Sequence, residues 1–214
     1  MNPTPPFHIT IARQLASGGA ELGQLIARRL NFVYLDRQIL QNVAQELEMR
    51  EEDLSFREER IQGFWVRLME LFSTSCPEYT MSTPPLRVIS DDRLIEVEQQ
   101  VMARLASRGS CVIVGRCGFQ ILKEQARLLN IFVHAPKPFR IQRMMRFYGA
   151  RTENEAGEMT DRTDYDRECY TEKLTGGSWY DARNYHLAFD MSQVDLDATV
   201  EMIVSLAKQK TATE

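Results

Sequence analysis

His8-Ile9-Thr10-Ile11-Ala12-Arg13-Gln14-Leu15-Ala16-Ser17-Gly18-Gly19-Ala20-Glu21-Leu22 is the stretch on which the fold turns. A β-rich run gives way to a turn of small residues, Ser17-Gly18-Gly19, and then at once to a helical pattern. Leu22, Leu25, Ile26 and Leu30 recur there at helix spacing. Strand, glycine turn and helix start in that order form a cradle for phosphate. Backbone N–H groups line the turn, and the helix N-terminus adds partial positive charge. The spacing predicts a strand over Phe7–Ala12 and a helix over Gly19–Leu30. Arg28 and Arg29 fall in the last turn of that helix, where the dipole favours cations.

Outward from this stretch, strands and helices alternate. Phe32–Leu35 reads as a second strand ending at Asp36, and a helix follows from about Gln38. Glu48–Arg60 is charged and solvated, and Ser73–Ser90 reads as a loop. Between them Ile61, Phe64, Trp65, Leu68, Met69 and Phe72 form an amphipathic stripe. That stripe suits the packing face of an inserted subdomain, or a contact between two copies of the chain. Arg93–Arg108 is expected as a helix, with Leu94, Val97, Val101, Met102 and Leu105 on its buried face. Cys111–Val114 and Leu128–Val133 are continuously apolar, as parallel strands covered on both faces are. A basic helix over Phe139–Tyr148, a polar region over Gly149–Gly177, a strand over His186–Phe189 and a helix over Leu196–Lys208 complete the chain.

The alternation predicts an α/β fold with an open parallel sheet of about five strands and right-handed crossovers. Ligands in such sheets bind at the carboxyl ends of the strands, beside a topological switch point. Arg13–Gly19, Asp36-Arg37, Gly115-Arg116 and the segment after Ala135 should therefore share one rim.

Composition narrows the classes. The 214 residues are 43% hydrophobic and 26% charged, ordinary for a soluble globular protein. A net charge of −4 argues against nucleic acid as a general partner. The four cysteines (Cys76, Cys111, Cys117, Cys169) form no C-x-x-C pair, so neither a zinc site nor a disulfide framework is indicated. No apolar run approaches the roughly 18 residues of a membrane span. The start, Met1 to Pro6, lacks the regions of a signal peptide and is expected to be a flexible tail. A cytoplasmic protein with no membrane partner is the simplest expectation.

Arginines crowd between Arg140 and Arg167. The guanidinium fork suits phosphate, because it donates parallel hydrogen bonds and stays charged. A glycine turn with several arginines on one rim implies a phosphorylated ligand. Transfer between two phosphates is almost wholly positioning and charge stabilisation.

The chain resembles the nucleoside monophosphate kinases, in particular the cytidylate kinase-like family. The resemblance rests on Ile9-Thr10-Ile11 leading into Arg13-Gln14 and Ser17-Gly18-Gly19, on Tyr34-Leu35-Asp36-Arg37, and on Val112-Ile113-Val114-Gly115-Arg116. It continues through Phe132-Val133-His134-Ala135-Pro136 with Arg140 and Arg143, Asp164-x-x-Arg167-x-x-Tyr170, and Trp179 with Asn184-Tyr185. It implies a P-loop nucleoside-kinase-like three-layer fold in one domain over residues 7–210. A helical monophosphate-binding insert would span about 37–92, and a lid about 147–177.

The resemblance also implies site roles. Ser17, Gly18, Gly19, Ala20 and Glu21, with Arg13, Arg140 and Arg143, would hold the phosphates of ATP. Asp36, Arg116, Asp164 and Arg167 would bind the acceptor monophosphate. Arg13, Arg116, Arg143 and Arg167 would stabilise the transferring group. No residue is assigned as a protein ligand of a metal, and Mg2+ is implied by the chemistry of phosphoryl transfer. The expected activity is transfer of the ATP γ-phosphate to a CMP-like monophosphate or another small phosphorylated acceptor. The alternative is a catalytically impaired nucleotide-binding sensor or partner module.

Three departures stand out. Where G-x-x-x-x-G-K-[ST] has lysine this chain has Gly19, and Ala20-Glu21 follows in place of the hydroxyl. Cys117 replaces the aspartate expected after Gly115-Arg116. Arg13 is expected to swing over the phosphates and replace the lysine charge. Glu21 either holds magnesium or offsets the helix dipole. Asp36 either binds the acceptor or caps the next helix. Trp179 and Tyr185 are expected to fasten the end of the lid to the sheet.

Overall fold

The computed structural model describes residues 5–36 and 92–212. Strands and helices alternate as β1 (His8–Arg13), α1 (Gly19–Leu30), β2 (Val33–Leu35), α2 (Asp92–Arg108), β3 (Cys111–Val114) and the short α3 (Gly118–Ile121). They continue as β4 (Leu128–His134), α4 (Lys137–Phe147), α5 (Glu153–Thr175), a 3-10 turn (Ala182–Asn184), β5 (Leu187–Asp190) and α6 (Leu196–Ala212).

The five strands lie in the order β2-β3-β1-β4-β5, and every neighbouring pair is parallel. The period of two along each strand sorts the core. Ile9, Ile11, Leu129, Ile131 and Val133 point to one face, against Leu22 and Ile26 of α1 and Val200, Ile203 and Val204 of α6. Val33, Leu35 and Ile113 point to the other, against Met102 and Leu105 of α2 and Leu122 beyond α3. Helices thus cover both faces, which gives the three-layer α/β architecture. Each fully buried aliphatic side chain contributes about 1.5–3 kcal/mol.

Two polar pairs lie inside this core. The Thr10 hydroxyl donates to Asn130 Oδ1 at 2.7 Å. His8 Nδ1 lies 3.2 Å from Cys111 Sγ. Burial lowers the His8 pKa to about 4 and pushes the Cys111 thiol up.

Besides shifts of a few residues at the ends of β2, β4, β5 and α6, the structure differs from the sequence reading as follows. β1 runs one residue further than expected, so Arg13 is a strand residue opposite Val133. α4 starts at Lys137, two residues early, because Pro138 is tolerated in a first turn where its missing N–H has no intrahelical use. The polar region after Gly149 contains a 23-residue helix, α5. The N-terminal tail is held where it enters the fold, since Arg127 donates to the Pro5 carbonyl at 2.9 Å. The amphipathic stripe Ile61–Phe72 and nearly all of the expected insert lie outside the described residues.

Topology positions the site. The chain leaving β1 crosses through α1 to β2 on one side, and the chain leaving β3 crosses to β4 on the other. A crevice therefore opens between the carboxyl ends of β1 and β3.

Candidate active site

The turn after β1 owes its shape to a few backbone bonds. Gln14 N donates to Val133 O at 3.0 Å, and the Ser17 hydroxyl donates to Gln14 O at 2.9 Å or Val133 O at 3.2 Å. Ser17 is buried, so its hydroxyl shapes the turn and its contribution to a ligand is its backbone. Ala16 and Gly18 take left-handed conformations, with φ of 59° and 95°. These dihedrals fold the chain into α1, whose first N–H groups have no carbonyl partners within the helix.

The turn is braced from behind by α5. Asp164, buried among the side chains of that helix, accepts from Leu15 N at 2.8 Å and from Arg140 at 2.5 Å. Arg167 lies 3.4 Å from the same carboxylate and donates to Arg13 O at 2.8 Å. Arg140 also donates to Ala135 O at 3.0 Å and to Leu15 O at 3.4 Å. Asp164 and Arg140 were expected at the acceptor and the donor respectively. The structure instead turns both inward, where they fix the backbone of the turn.

Arg13 also has a different post from the one expected. A Cβ on Gly19 would stand 2.6 Å from the Arg13 Cβ, and one on Gly115 would stand 1.9 Å from its Nη1. The side chain therefore runs across the crevice from β1 to β3, with both glycines required for its passage. Burial lowers its pKa, and the surroundings of its charge include Tyr34, Asp36, Tyr148 and Arg116. The Arg13 stem thus packs against Gly19 of the turn, while its guanidinium reaches Gly115 and shares the surroundings of Asp36 and Arg116.

Arg116 ends the crevice on the β3 side. Gly115, Arg116 and Cys117 all have positive φ, at 84°, 53° and 51°, which is strained at the two non-glycine positions. The Arg116 guanidinium donates to Glu98 of α2 at 2.8 Å and lies 5.4 Å from the centre of the Tyr170 ring of α5. Glu98 is 1% exposed, so this pair is anchored in the core. Cys117 replaces an expected carboxylate with a thiol against Thr171 Oγ1 at 3.3 Å, and burial raises its pKa to about 11.

Arg143 stands over the turn itself. Its Nη2 is 2.9 Å from Glu21 Oε2 and would be 3.9 Å from a Cβ on Gly18. Tyr148 lies in the same electrostatic neighbourhood, which contains Arg143, Arg13, Arg167 and Glu21, and burial raises its pKa. Sequence reading missed Glu98, Tyr148 and the site-side placement of Tyr170. Glu98 carried a signal, because it falls within the apolar stripe of Leu94, Val97, Val101 and Met102.

Trp179 and Tyr185 do fasten the segment after α5. Trp179 packs with Ala12 and Phe132, and the Tyr185 hydroxyl donates to Trp179 O at 2.7 Å.

The cytidylate kinase-like family model aligns with residues 8–193. This chain belongs to that family. The crystal structure of an uncharacterized protein from Eubacterium ventriosum superposes with a TM-score of 0.69 at 20% identity, covering 94% of this chain and 98% of that one. A shikimate kinase from Bacteroides thetaiotaomicron gives a TM-score of 0.49 at 11% identity, covering 94% of this chain and 98% of that one. No functionally curated protein matches the sequence.

Membership in this kinase family implies use of a nucleotide and, usually, Mg2+. The residues present fit a triphosphate: the turn offers backbone N–H groups at a 12-residue helix, and the buried Nε of Arg143 has no hydrogen-bond partner among the described residues. Among the described residues no helix is long and apolar enough to cross a membrane.

Proposed function

We propose that this protein is a phosphotransferase that moves the γ-phosphate of ATP to a small phosphorylated acceptor, a CMP-like nucleoside monophosphate by family resemblance. The observation that carries the reading is the division of the arginines into two groups around one crevice. Arg143 faces the glycine turn, where a triphosphate would lie on the α1 N-terminus. Arg13 and Arg116 face the crevice between β1 and β3, where a second phosphate would lie. Two anion sites side by side suit a reaction whose catalysis is alignment and charge neutralisation.

In this reading the backbone N–H groups of Gly18, Gly19 and Ala20 bind the donor phosphates. Arg13 and Arg116 orient the acceptor phosphate toward them, while Arg167 keeps the β1 end in place through Arg13 O. Asp36 lies in the electrostatic surroundings of Arg13 and would contact the acceptor or tune that arginine. When bound with the triphosphate, Mg2+ would supply charge neutralisation at the phosphate oxygens.

A coupled assay for ADP, with purified protein, ATP, Mg2+ and a panel of monophosphates, tests the proposal. ADP formation that depends on one acceptor supports it. ATP binding without turnover on any acceptor favours the second reading, a nucleotide-binding sensor, for which the missing loop lysine is the specific observation.

A further inference from the structure

We propose that Glu21 is the positioning residue for Arg143: its ion pair holds the guanidinium over the Gly18 turn, where it supplies the charge that Gly19 lacks. The inference rests on the phosphate-binding reading above and assigns that site a partner for its cation.

The geometry is specific. Arg143 comes from α4, far from the turn in sequence, yet its Nη2 would lie 3.9 Å from a Cβ on Gly18. Three groups confine the side chain. Glu21 Oε2 is 2.9 Å away, and the ring centres of Phe139 and Phe147 lie 5.9 and 5.1 Å from the guanidinium carbon. The pair is partly buried, at 23% and 18% side-chain exposure, so solvent screens it less than a surface pair. A guanidinium has five N–H donors, and the Glu21 contact is made by Nη2. The buried Nε has no hydrogen-bond partner among the described residues. Donors therefore remain for a phosphate while the carboxylate keeps its hold.

The placement also accounts for a carboxylate at a phosphate site. Alone, Glu21 would repel a triphosphate. Paired with Arg143, its charge is offset and the cation is oriented in advance, so less side-chain freedom is lost on binding. The other candidate for the missing charge, Arg13, is committed to the crevice between Gly19 and Gly115.

The test is calorimetric titration with inorganic tripolyphosphate, with and without Mg2+, on the full chain and its Glu21→Ala, Glu21→Gln, Arg143→Ala and double Glu21→Ala/Arg143→Ala variants. Loss of a charge-assisted contact should weaken binding about tenfold in Arg143→Ala and about three- to tenfold in Glu21→Ala. Glu21→Gln, which keeps an acceptor, should recover part of that loss. The double variant should bind no more weakly than Arg143→Ala, because the Glu21 effect passes through the arginine. Tighter binding by Glu21→Ala would overturn the proposal, making the carboxylate a competitor. So would a Glu21 effect that persists without Arg143 or occurs only with Mg2+. No binding by the unaltered protein would instead defeat the phosphate-site reading itself.

Discussion

Arg140 and Arg143 stand three residues apart on α4 and face the same turn, yet their guanidinium groups live under opposite conditions. Arg140 is 6% exposed and spends its donors on Asp164, Ala135 O and Leu15 O. Arg143 is partly exposed, pairs with Glu21, and keeps a buried Nε without a hydrogen-bond partner among the described residues. Identical chemistry thus serves as scaffold in one place and, in the proposed reading, is left to meet an anion in the other. What separates them is how far their hydrogen-bonding capacity is already satisfied by the protein.

The largest effect should come from breaking the saturated side. Asp164→Ala leaves the Arg140 charge buried and Leu15 N without its acceptor, a loss of about 3–5 kcal/mol for a broken buried pair. Urea unfolding should show it, and a loss below about 1 kcal/mol would place Asp164 outside the scaffold.

Next in size is the amino end of the sheet, where His8 is buried with its pKa lowered from 6.5 to about 4. Between those values the unfolded chain binds more protons than the folded one, so stability rises with pH through that window and levels off above it. The full shift corresponds to at most about 3 kcal/mol. Unfolding at pH 4.5 and pH 7 should differ less in His8→Gln than in the unaltered protein, and equal differences would show that His8 does not titrate in this way.

On the unsaturated side the balance should reverse. Arg143→Ala should change stability by less than about 1 kcal/mol while weakening ATP binding about tenfold. A large stability loss with unchanged binding would place Arg143 with Arg140. The smallest effect is expected at the exposed Arg29–Glu201 pair. Glu201→Ala there should shift the unfolding free energy by under about 1 kcal/mol, and less still at high salt.

The strands were legible because both-face burial leaves a continuous apolar run, and Cys111–Val114 matches its expected bounds. α5 was not, because nearly every face of it is polar, and its buried Ala156, Gly157, Thr160 and Asp164 make no apolar stripe. Its ends did carry signals. Thr152 accepts from Glu155 N at the start, and Gly176 takes a φ of 68° at the close. Sequence order put Arg13, Arg116, Arg140 and Arg143 at or after strand ends, but did not show the partner that each guanidinium takes. Whether an arginine is spent or available depends on partners such as Leu15 and Asp164, which sequence separates by 149 positions.

Gly19 carries a historical consequence. A side chain at that position would meet the Arg13 stem within 2.6 Å and Val133 within 3.4 Å. Restoring a loop lysine by a single change therefore collides with the arginine already spanning the crevice. The two solutions exclude one another, and a lineage could pass between them only by altering residues 13 and 19 together or by tolerating a damaged intermediate.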